Sequence, residues 1–89
     1  MSLHYLVRES RMSDDIDRRI LDFLAKQDWP VTTENVAAGG EVTWNTAEVH
    51  LLRLVAGGFV RGKKVGRQNQ WILTEDGRKK AKKASAERG

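Results

Sequence analysis

An α+β fold with a three-helix core, a two-stranded β-wing and a C-terminal helix is what this 89-residue chain predicts, on three observations. Two short helices, 33–38 and 44–56, each follow a threonine able to cap them and are joined by a few glycine-containing residues, the sequence pattern of a helix-turn-helix. A hairpin follows over 59–73, with Arg61, Lys63 and Lys64 on its outgoing arm and Gly66-Arg67-Gln68-Asn69 at its tip. Charge is also unevenly placed: residues 1–57 hold six Lys/Arg against nine Asp/Glu, whereas residues 58–89 hold ten against three. A short helix feeding a basic two-stranded ribbon is the geometry of a winged helix-turn-helix, and the asymmetry is the footprint of a polyanion binder. A solvated face with an idle lysine-rich tail is the competing reading of the same charges.

The elements follow from local chemistry. Residues 1–12 form an arm or extension whose Leu3, Tyr5, Leu6 and Val7 keep neither period; it reads as a frayed terminus, or as an arm packing on a partner subunit. The first helix opens at Ser13, with Asp14 and Asp15 at the positive end of its dipole. Ile16, Ile20, Phe23 and Leu24 form its core stripe, Leu21 lies at the rim or on a dimer contact, and Trp29-Pro30 closes the helix with the indole filling the seam. Thr32 caps the second helix, Val31 and Val36 stand at hydrophobic-staple spacing, and Gly39-Gly40 ends it. Thr43 caps the third helix, and Gly57-Gly58 stop it. Thr74 opens a final helix, so the domain is expected over 13–83, with a flexible tail at 84–89.

In the third helix Ala47, Leu51 and Leu54, with Phe59 after it, should face the core, which leaves Asn45, Glu48, Val49 and Leu52 outward, flanked by Thr46 and Arg53. Asn45 can offer its amide to adenine, Thr46 and Val49 can meet a thymine methyl, Glu48 can accept from cytosine, and Arg53 can reach phosphate or guanine. Wing residues Arg61, Lys63, Lys64, Arg67, Gln68 and Asn69 supply donors for phosphates or the minor-groove edge. Lysines also guard exposed strand edges against mispairing, a purely structural role. Trp44 and Trp71 read as packing residues, and His50, beside Leu51, as a packing or hydrogen-bonding group.

Other classes find little support. Without cysteine there is no disulfide framework, thiolate zinc site or Cys nucleophile, and neither a P-loop, an HExxH nor a GxSxG occurs, so no enzyme, cofactor or metal is expected. No apolar stretch approaches the ~20 residues that span a bilayer, and no signal-like segment is present, which points to a cytoplasmic protein without membrane contact.

The run Thr46-Ala47-Glu48-Val49-His50-Leu51-Leu52-Arg53-Leu54-Val55-Ala56-Gly57-Gly58-Phe59-Val60, with Leu73-Thr74-Glu75-Asp76-Gly77-Arg78 after the wing, resembles the winged helix-turn-helix regulators of the MarR-like and related prokaryotic groups. Asp15-Ile16-Asp17-Arg18-Arg19-Ile20-Leu21 is similar to the opening helix of leucine-responsive feast/famine regulators. The resemblance covers Ser13 to Lys83 at the level of the superfamily and implies three helices, a two-stranded wing and a final helix. Gly40 departs from it, standing where such regulators bury a larger apolar residue, so a short second helix and a longer turn are expected. A minimal DNA-binding module without a separate effector-binding domain is therefore expected. The function expected is sequence-specific double-stranded DNA binding by a homodimeric transcription regulator, with helix 44–56 in the major groove and wing 59–73 on the backbone or minor groove. A winged-helix module for protein or RNA contact is the alternative, supported by Glu41, Glu48, Val49 and Leu52 on or near the outer face.

Overall fold

The computed structural model describes residues 15–88, with side chains to residue 83. The arm at 1–12 and the Ser13 cap lie outside the described residues. Four helices and a three-stranded antiparallel sheet follow in the order α1 (15–25), β1 (Val31–Thr32), α2 (Thr33–Gly40), α3 (Trp44–Ala56), β2 (Val60–Val65), β3 (Gln68–Leu73) and α4 (Glu75–Arg88). The winged helix-turn-helix expected from sequence is therefore the fold observed.

One core joins all the layers: Ile20, Leu21 and Leu24 of α1, Val36 of α2, Ala47, Leu51 and Leu54 of α3, Val60, Trp71 and Leu73 of the sheet, and Ala81 of α4. Leu21, expected at the rim, is 1% exposed and belongs to the centre. The reason is that α1 has neighbours on more than one side. Phe23 lies against Gly39 and Ile20 against Gly40 of α2, while Asp22 and Ala25 border a groove shared with α4.

The double glycine is thus a packing surface rather than a stop. Helix α2 continues through both glycines, with Gly40 buried, and ends one residue later at Glu41, which adopts the left-handed conformation (φ 58°). The Val42 amide then donates to the Ala37 carbonyl at 3.0 Å, closing the helix end and setting the turn into α3. The caps at Thr32 and Thr43 form as expected, accepting from the amides of Asn35 and Thr46 at 3.2 Å each.

The staple residue Val31 and the cap Thr32 also form a strand that the sequence did not announce, β1, which pairs with β3 through Val31↔Trp71 and Thr32↔Gln70, giving the strand order β1-β3-β2. The wing proper remains the two-stranded ribbon β2–β3. Its turn is tighter than the sequence suggests: Val65 pairs with Gln68, leaving only Gly66 and Arg67 between the strands. Gly66 has φ 63°, the arrangement of a two-residue hairpin with glycine first. At the other end Thr74 caps α4 by accepting from the Gly77 amide at 3.0 Å, and its hydroxyl donates to the Gly58 carbonyl at 2.7 Å. Its own amide donates to the Phe59 carbonyl at 3.0 Å. Helical backbone continues to Arg88, past residue 83 where the domain was expected to end.

Trp29 is 68% exposed and does not fill the seam beside Pro30. Phe59 is half-buried at the edge of the core, under the Lys80 ammonium at 4.9 Å from its ring centre.

Candidate nucleic-acid interface

Two polar connections hold α3 from behind. The Nδ1 of His50 lies 2.7 Å from Asp17 Oδ1 on α1, with both side chains largely buried, so the expected hydrogen-bonding role of His50 is what the structure contains. The second connection runs through three elements. The Trp71 indole N–H on β3 donates to the Thr33 hydroxyl of α2 at 2.8 Å, and that hydroxyl donates to Glu48 Oε1 on α3 at 3.3 Å. Trp71 itself is 3% exposed and lies over Gly62 of the paired strand, where a Cβ would come within 2.6 Å of the ring. A glycine inside the outgoing strand is therefore the seat of the indole, and the wing, α2 and α3 are tied into one unit.

These ties decide what α3 presents. Glu48 is half-buried and turned toward α2 by Thr33, away from the centre of the outer face. Thr46 is also half-buried, its hydroxyl accepting from Thr43 Oγ1 at 2.9 Å. Asn45, Val49, Leu52 and Arg53 are exposed, and Arg53 is also engaged within its own chain. Trp44, expected to cover the core edge, is 50% exposed.

In the wing Arg61, Lys63, Lys64, Arg67 and Gln68 are exposed, and Asn69 is half-buried. The register divides them. Lys64 pairs with Asn69, in step with Gly62 and Trp71, and so shares the helix-facing side of the ribbon; Arg61 and Lys63 pair with Ile72 and Gln70 on the other side. Lys64, Arg67, Gln68 and Asn69 meet Trp44 and the start of α2 around an open cleft of about 300 Å³. The structure therefore brings four of the six wing candidates to the N-terminal end of α3. Trp44 and Leu52 are the exposed neighbours of the site that sequence reasoning left out as contacts. The exposure of Leu52 was legible from helical phase; that of Trp44 depended on which elements cover the start of α3.

Among the described residues no group of three His, Cys, Asp or Glu could hold a metal ion, and no helix is long and apolar enough to cross a membrane.

The architecture defines the winged helix-turn-helix class, with the fold of MarR-family regulators. Zinc-responsive MarR-family ZitR of Lactococcus lactis superposes with a TM-score of 0.68 at 22% identity, over 80% of this chain and 50% of that one. FabT of Streptococcus pneumoniae, solved in complex with DNA, gives 0.69 at 22% identity, over 79% of this chain and 50% of that one. The chain thus spans about half the length of these regulators. The same fold is also found within human N-acetylserotonin methyltransferase in complex with SAM, with a TM-score of 0.62 at 19% identity, over 84% of this chain and 24% of that one. No family model matches the chain, and no curated protein matches it significantly.

Proposed function

We propose that the protein is a non-enzymatic, cytoplasmic regulator of transcription that binds double-stranded DNA sequence-specifically as a homodimer, with α3 in the major groove and the β2–β3 wing on the flanking backbone or minor groove. The observation that carries this reading is the placement of Lys64 and Arg67 beside the exposed N-terminal end of α3, which puts positive charge next to the segment that meets base edges in helix-turn-helix docking. FabT, solved with DNA, shares the fold and supports the reading.

Replacing Arg61, Lys63, Lys64 and Arg67 together by alanine should weaken binding to all duplexes alike. The slope of log affinity against log salt should flatten by up to about 4, since each lost phosphate contact removes about 0.9. All four side chains are exposed, so the melting temperature should stay near wild type. Unchanged affinity and slope would remove the wing from the interface. The alternative, a protein or RNA contact, draws on the exposed Val49 and Leu52 and on the exposed Glu41. It is separated by the same titration with single-stranded RNA, where stronger binding than to duplex would favour it.

The homodimer reading draws on surface outside α3 and the wing: Trp29 at 68% exposure, and a groove of about 500 Å³ between α1 and α4 bordered by acidic Asp22 and Glu75 and by basic Lys26, Arg78, Lys79 and Lys82. Sedimentation should show concentration-dependent association without DNA; a monomer throughout at ~100 μM would exclude a stable dimer.

A further inference from the structure

Resting on the DNA-binding reading above, we infer that α3 reads an A·T-rich half-site, with Asn45 taking an adenine and Val49 and Leu52 taking thymine C5-methyl groups. Asn45, Val49 and Leu52 stand at i, i+4 and i+7, within an arc of about 60° on the helix. Their Cα atoms span about 10 Å along its axis, about three base-pair steps. Val49 is 55% exposed and Leu52 53% exposed, so two branched apolar side chains form the middle of the face that would enter the groove.

Major-groove chemistry then selects the base pair. Thymine alone presents a methyl group there, and an asparagine amide matches the N6/N7 edge of adenine. The usual reader of guanine is a bidentate Arg or Lys and that of cytosine a carboxylate. The carboxylate nearest this arc, Glu48, accepts from Thr33 and is drawn toward α2, while Arg53 stands about 80° round the helix from Asn45 and is engaged within its own chain. Neither G·C reader occupies the centre of the arc. The occupant is argued from charge: Lys64 and Arg67 stand at the N-terminal end of the same helix, so a partner covering both the apolar arc and the cations should be a polyanion that carries methyl groups. An A·T-rich duplex has both.

The test uses the full chain and a duplex selected by it from a randomised pool. Replacing thymine by deoxyuridine at each half-site position removes only the methyl and keeps every hydrogen-bonding group. Wild type should select A·T pairs under α3 and lose about three- to tenfold in affinity at two thymine positions. Val49→Ala and Leu52→Ala should each abolish the thymine-over-uracil preference at one of those positions, with unchanged melting curves because both side chains are exposed. Asn45→Ala should relax selection at one adenine. Equal binding of thymine and uracil duplexes, a G·C-rich selected site, or full DNA affinity and unchanged selectivity in both apolar variants would overturn the inference, the last making the arc a protein contact. Each of these leaves duplex binding itself standing. Absence of duplex binding at low salt is the different result that overturns the DNA reading and this inference together.

Discussion

Gly77→Ala is expected to destabilise the protein by about 3 kcal/mol or more, at the upper end of the range for overpacking. Helix propensity alone argues the opposite sign, since alanine is better than glycine by about 1 kcal/mol inside a helix. Close approach decides the outcome. A Cβ at Gly77 would overlap the Phe59 carbonyl oxygen and stand 2.9 Å from Leu73 Cδ2. That carbonyl cannot retreat freely, because it accepts from the Thr74 amide at 3.0 Å in the junction that starts α4. Relief would require α4 to lift off the sheet, uncovering Leu73 and Ala81. Thermal unfolding should show a fall of about 12 °C or more for a domain of this size. Lys79→Ala, exposed on the same helix, should change stability by less than about 0.5 kcal/mol and serves as the control. A melting temperature raised by Gly77→Ala would show that α4 is not seated on the Phe59 backbone.

Trp71→Ala should cost about 3–5 kcal/mol, the range for truncating a large buried aromatic. The indole fills the space above Gly62, and its N–H begins the connection through Thr33 to Glu48. Trp71→Phe separates the two contributions: most of the ring stays, the donor goes, and a loss of about 1 kcal/mol, the net value of one hydrogen bond, should accompany its smaller volume change. Urea unfolding of both variants measures this. A cost below about 1 kcal/mol for Trp71→Ala would mean that the sheet is not anchored to the helices through this residue.

The parts of the fold that were legible in sequence are those governed by neighbours within a few residues. Thr32, Thr43 and Thr74 cap helices because a hydroxyl reaches an amide three residues on, and the α3 core stripe of Ala47, Leu51 and Leu54 follows from helical period alone. What escaped depends on distant partners. Two residues, Val31 and Thr32, carry too little pattern to announce a strand, and they become one only because Trp71 and Gln70 lie alongside. The three tryptophans show the same limit: Trp71 is buried because Gly62 and Thr33 receive it, whereas Trp29 and Trp44 remain exposed. Glu48 stood in phase with the outer face, but its side chain bends toward an acceptor role for Thr33, fifteen residues away in the chain. Exposure of Asn45, Val49 and Leu52 was legible, and their relation to the wing was not, because it is set by the register of β2 against β3.

The junction at Thr74 has a mechanical consequence. Its hydroxyl holds the Gly58 carbonyl and its amide holds the Phe59 carbonyl, so the two ends of the hairpin are fastened to each other and to the first turn of α4. The ribbon is held well beyond that root, because β1 pairs with β3 at Trp71 and Gln70 and the Trp71 indole is tied through Thr33 to Glu48 of α3. Only Lys64 to Asn69 project past those ties. Lys64 and Arg67 are therefore presented at a fixed setting relative to α3, with no hinge between the basic tip and the helix beside it.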